Sequence, residues 1–127
     1  GPVGSDGYFK PLFDKKTGVI DSSVADYWRE HFDMRYILQR DWKRLGPKLK
    51  GKLHVIVGRL DDFYLNWGVY YLQDFLESTT DPYYDGSFTF GDRGGHGWRR
   101  ASDELIRIMA DHIEKAQPDH ARPLWRY

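Results

Sequence analysis

Residues 93–100, RGGHGWRR, set His96 among three glycines and directly before an aromatic-basic stretch. Glycine opens backbone conformations closed to other residues, so the run reads as a loop that aims an imidazole. An aimed histidine needs a nucleophile, a metal or a ligand. A second loop, VGRLDDFYL, carries Asp61 and Asp62 three and four residues past Gly58. Both loops follow short apolar segments that read as strands, and in α/β sheets functional groups gather at the carboxyl ends of strands. If the strands are neighbours, an aspartate of one loop can meet the histidine of the other. A carboxylate holding one ring nitrogen, so that the other acts as base, is the orienting half of a nucleophile–His–acid triad. Asp92, just past the second strand, is the other nearby carboxylate.

The elements that must carry these loops follow from periodicity. Residues 6–20 mix Gly, Pro and charge without a helical period and read as an extended arm, with KKTG as a turn. Asp21 reads as the N-cap of a short helix bearing Val24, Tyr27 and Trp28. After Asp33, Met34, Ile37, Leu38, Trp42 and Leu45 recur at helical spacing, and Gly46-Pro47 is predicted to stop that helix. Leu53 to Val57, closed by Gly58, is short, apolar and β-branched, as in a buried parallel strand. Leu65, Val69, Leu72 and Leu76 mark one helix face, SFTFG a second strand, and Leu105, Ile106, Met109 and Ile113 a last amphipathic helix ended by Pro118. The order strand, helix, strand, helix after residue 50 predicts an α/β layered fold, a small mostly parallel sheet flanked by helices. Two strands fall short of a self-standing sheet, so either the arm adds strand or another chain completes it.

Composition narrows the classes. A chain of 127 residues fits one domain, and 19 basic against 19 acidic residues gives no pull toward nucleic acid or an anionic membrane. No apolar run approaches a membrane span. No signal-peptide pattern is visible, and residues 1–5, GPVGS, read as a scar of tag removal. The absence of cysteine excludes disulfides and thiolate chemistry but leaves the compartment open. Aromatic residues make up 17% of the chain, enough to serve a core and also a pocket or interface.

GRLDDFYL, a helix, a short strand, GGHGW and a terminal helix together resemble the C-terminal part of an α/β-hydrolase fold. The likeness is to the esterase branch that includes S-formylglutathione hydrolases, over residues 50–116. That branch carries its acid in a Gly-x-x-Asp-x-Phe-Leu pattern, matched here by Gly58, Asp61 and Phe63, with Tyr64 in place of leucine. The resemblance implies Asp61 as acid and His96 as base. It also implies a serine in a Gly-x-Ser-x-Gly elbow, and none of Ser5, Ser22, Ser23, Ser78, Ser87 or Ser102 lies in one. Ser102 reads instead as an N-terminal helix residue.

The chain therefore divides into the presumptive scar at 1–5, an arm and helical segment at 6–49, the hydrolase-like unit at 50–117 and an aromatic tail at 118–127. The function expected first is the acid–base segment of an esterase-like hydrolase whose serine comes from elsewhere, so that ester hydrolysis by the chain alone is not expected. A second is a non-catalytic binding or assembly module in which Asp62, Phe63, Tyr64, Trp67 and Trp98 line a cleft for a sugar, phenolic or peptide. A third is a small metal-dependent enzyme reusing the Asp/His pair. His54 sits at the wrong end of its strand for that, and His31, His112 and His120 show no ligand spacing, so neither metal nor cofactor is assigned. His112 and the Arg99-Arg100 pair read as surface. Expected partners are a second copy of the chain or a complementing hydrolase segment, with a small ester or an aromatic or sugar ligand.

Overall fold

The protein is described by a computed structural model over residues 1–117. The aromatic tail, with Pro118 and His120, lies outside the described residues.

Two helices lead. Helix α1, Ser22–Phe32, starts where Asp21 accepts hydrogen bonds from the backbone N–H groups of Ser23 and Val24, an N-cap as the sequence predicts. Asp33 ends α1 and caps α2, Met34–Leu49, by accepting the Tyr36 N–H at 3.0 Å. Gly46-Pro47 does not stop α2. The helix runs through both residues to Lys50, and Pro47 only deprives the Lys43 carbonyl of a donor. Gly46 serves packing instead. A Cβ there would sit 2.8 Å from the Trp42 indole and 3.0 Å from Pro82. The bare position lets Trp42 Nε1 donate to the Pro82 carbonyl at 3.0 Å. The turn out of α2 falls at Gly51, whose φ of +72° suits glycine.

Strand β1, His54–Gly58, helix α3, Leu65–Glu77, strand β2, Ser87–Gly91, and helix α4, Ser102–Ala116, complete the order. The strands pair in parallel, His54 opposite Ser87 through to Gly58 opposite Gly91. The protein is thus a small α/β fold with one two-stranded parallel sheet. The arm does not join it. Val3 bridges to Phe9 and Phe13 to Ile20, making two small antiparallel turns, the second closed by Asp14, Thr17 and Gly18. Residues 2–4 take part, since the Pro2 carbonyl accepts from the Lys10 N–H and the Gly4 N–H donates to Tyr8. Each strand therefore keeps one edge that no described strand pairs.

Side chains alternate across the strands, so the sheet has two unlike faces. Phe88 faces the core of Leu38, Trp42, Leu76 and Tyr84, formed with α2 and α3. Leu76 and Val24 are fully buried, each contributing about 1.5–3 kcal/mol by removal of apolar surface from water. The opposite face, with His54, Ile56, Ser87 and Thr89, looks onto α4 across a cleft of about 410 Å³. Cover there is thin. Ile106, Met109 and Ile113 of α4 stay 65%, 56% and 49% exposed, so the predicted apolar face is only partly used. Trp28, Phe32 and Met34 are also exposed. Among the described residues no helix is long and apolar enough to cross a membrane.

Candidate active site

The two loops leave the same rung of the ladder, Gly58 and Gly91, and remain zipped beyond it. The Arg59 N–H donates to the Gly91 carbonyl and the Leu60 N–H to the Gly94 carbonyl, both at 2.9 Å. Arg59 Nε adds an exposed bond to Asp92 at 3.0 Å, so Asp92 faces the arginine and not His96. Asp61 and His96, 35 positions apart, meet at 3.0 Å between Oδ2 and Nδ1.

The glycines of RGGHGW work by absence of bulk. None of Gly94, Gly95 and Gly97 has positive φ. A Cβ on Gly94 would stand 2.3 Å from Trp98, and one on Gly91 2.2 Å from the same ring. A Cβ on Gly58 would meet the backbone oxygens of Gly94 and Gly95 at 2.2 and 2.4 Å. Gly58, Gly91 and Gly94 thus let the histidine loop lie flat on the strand ends with Trp98 wedged beneath it. The sequence expectation of special backbone conformations is corrected here to one of close approach.

The Asp61 side chain is 2% exposed, and its oxygens divide their work. Oδ1 accepts the Phe63 N–H at 2.8 Å and, more weakly, the Leu65 N–H at 3.5 Å, which holds the carboxylate at the entry to α3. Oδ2 is left for His96. Burial alone pushes the Asp61 carboxyl up, but the bonds from His96, Phe63 and Leu65 together outweigh it and hold it below its ordinary value. An ionised carboxylate only accepts, so Nδ1 of His96 carries a proton, and in the neutral ring Nε2 holds the lone pair. Nε2 bonds to no described residue, and half of the His96 side chain is exposed. Phe63 braces the ring from the side, edge to face, with centroids 4.7 Å apart. The arrangement is a fixed, half-exposed imidazole.

A carboxyl held below its ordinary value stabilises the fold fully above pH 3.8, and that contribution is lost as pH falls through the lowered value. The urea midpoint of the wild type should therefore exceed that of Asp61→Asn at neutral pH, with the gap closing below 3.8. A gap unchanged between pH 6 and pH 3, by fluorescence-monitored unfolding, would contradict the assignment.

The other predicted residues separate. Tyr64, Trp67, Asp61 and Asp62 share an open cleft of about 410 Å³. Phe63 turns to His96, and Trp98 lies under its own loop, so neither lines that cleft. Asn66, buried beneath, donates to the Arg59 carbonyl at 3.2 Å while its Oδ1 has no described partner. Among the described residues no three His, Asp or Glu side chains come together to hold a metal ion. None of the described serines bonds to His96. Ser23 binds Asp21, Ser78 the Phe75 carbonyl, and Ser102 opens α4 behind Ala101. Arg100 pairs with Glu104 and reaches Thr89.

Sequence reasoning missed one cluster. His54 and Ser87 bond at 2.8 Å, and His112, exposed as expected, lies against His54 with centroids 4.1 Å apart. The available signal was that both residues open their strands, which puts them side by side once the pairing is parallel and in step. No protein-family model, curated protein or solved structure matches this chain, so the reading of the site rests on its own residues and distances.

Proposed function

We propose that the chain supplies the acid and base of an esterase-like α/β-hydrolase site. Asp61 orients His96, and His96 Nε2 takes the proton of a serine carried on another segment or chain. The observation that carries this reading is the 3.0 Å bond from His96 Nδ1–H to a buried Asp61 carboxylate, which leaves Nε2 unengaged. An imidazole held in this tautomer is what a triad requires of its central member. The strand edges that no described strand pairs support a completed sheet, formed by a second copy of the chain or by a complementing hydrolase segment. The substrate class is a small-molecule ester. A binding-module reading draws on the Tyr64 and Trp67 cleft, which suits a sugar or phenolic ring.

The test is fluorophosphonate labelling of the native assembly purified from its source without denaturation. A serine outside residues 1–127 should be labelled, and His96→Ala should slow that labelling by about 10³-fold or more, the cost of losing a triad member. Labelling at the same rate in His96→Ala, or of no serine outside these residues, would overturn the proposal.

A further inference from the structure

The far end of the sheet holds a second engaged imidazole, here paired with a hydroxyl. Its logic can be read from two distances. His54 Nε2 lies 3.1 Å from the Gly51 carbonyl oxygen, and a carbonyl only accepts, so Nε2 carries the ring proton. Nδ1 is then an acceptor, and the Ser87 hydroxyl, 2.8 Å away, is its donor. Serine thus donates to an imidazole whose other nitrogen is fixed by a backbone oxygen, a carbonyl standing where a triad has its carboxylate. His112 packs on the His54 ring, limiting its rotation.

Both side chains are exposed at their strand ends and border the cleft under α4. Ile56 from the sheet and Leu105, Ile108, Met109 and Ile113 from α4 form its apolar walls, while Thr89, Arg100 and His112 add polar groups at its lining and no carboxylate is among them. Its volume of about 410 Å³ falls in the range of small-molecule sites, roughly 300–1,000 Å³. Four residue steps at ~3.3 Å each put this pair about 13 Å along the strands from the rung that carries the Asp61 and His96 loops. The two places are chemically independent.

We propose that Ser87 is a nucleophile activated by His54, and that the cleft beneath α4 receives the apolar acyl chain of an ester. Ser87 Oγ attacks the ester carbonyl carbon as its proton passes to His54 Nδ1. The carbon–oxygen bond to the alcohol then breaks, and His54 returns that proton to the leaving alkoxide. The product is acyl-Ser87. Water attacks the same carbon, gives a proton to His54, and releases the acid as Ser87 recovers its hydroxyl proton. No other reactant is needed. A neutral carbonyl stabilises the imidazolium less than a carboxylate does, so turnover is slow and the acyl-serine accumulates.

The experiment uses the purified chain with p-nitrophenyl hexanoate and p-nitrophenyl acetate, read by nitrophenol release and by intact and peptide mass. The expected result is one hexanoyl group on the peptide containing Ser87, formed faster than the acetyl adduct. Ser87→Ala should remove it, and His54→Gln should slow it about 10²-fold or more, the usual share of a general base. Circular dichroism checks that both variants fold, which their exposed positions favour. Met109→Trp, which fills the cleft, should slow the hexanoate reaction and spare the acetate. Acylation of lysine or another serine, an adduct that survives Ser87→Ala, or equal rates in His54→Gln would overturn the assignment. Equal slowing of both esters by Met109→Trp would overturn the role of the cleft.

Discussion

Asp61→Asn should keep the chain folded while inverting the proton on His96. Asp61 Oδ1 already accepts the Phe63 and Leu65 N–H groups, so an asparagine must place its oxygen there too. That leaves the amide NH₂ facing His96, where a carboxylate oxygen stood at 3.0 Å. An NH₂ group donates, so Nδ1 has to become the acceptor and the proton moves to Nε2. Nε2 is then protonated with almost no change of geometry. Nitrogen-15 spectra of the imidazole report the tautomer directly, with Nδ1–H expected in the wild type and Nε2–H in the variant. In a completed hydrolase the same change should lower turnover by about 10⁴-fold, the penalty of the wrong tautomer in a triad. The same tautomer in both proteins would sink the orienting role of Asp61.

Gly58→Ala should damage stability and site together. The new methyl would fall 2.2 Å from the Gly94 oxygen and 2.4 Å from that of Gly95, both fixed backbone atoms that cannot swing aside. Overpacking of this kind costs about 1–3 kcal/mol, and more where backbone must move. What moves is the histidine loop, so the Asp61–His96 bond should be lost even in the molecules that remain folded. Urea unfolding measures the first effect, and loss of the Nδ1–H signal of His96 measures the second. A folded Gly58→Ala protein with that signal intact would show that the loop tolerates displacement. By contrast, Gly97 has open space around its missing side chain, and an alanine there should change neither readout.

Local signals in the sequence reached far into this structure. Asp21 and Asp33 were legible as caps because a short acceptor side chain before an apolar period has few other uses. The elements after residue 50 were legible because a short β-branched run bounded by turn residues and the alternating SFTFG stand apart from the 3.6-residue period of the helices. Strand order brought an aspartate loop to His96, and the likeness of GRLDDFYL to the esterase acid pattern singled out Asp61. What escaped was contact between residues distant in the chain. Gly46-Pro47 has the composition of a stop, yet Trp42 and Pro82 close around Gly46 and hold the helix through it. His54, Ser87 and His112 carry no local pattern, and only parallel pairing and the placement of α4 bring them together. The glycines near His96 announced a special loop. Whether they served torsion or clearance depended on Trp98, whose position no sequence period encodes.

The rung at Gly58 and Gly91 gives the Asp61–His96 bond a further meaning. Each loop is counted from that rung, three residues to Asp61 and five to His96. Sliding one strand by a single residue shifts its loop by ~3.3 Å and turns its side chains to the other face. A bond of 3.0 Å does not survive such a slip. Asp61 and His96 therefore act as a vernier for the folding chain. They close only when residues separated by a whole helical crossover have been aligned in step, so a misthreaded molecule lacks this bond.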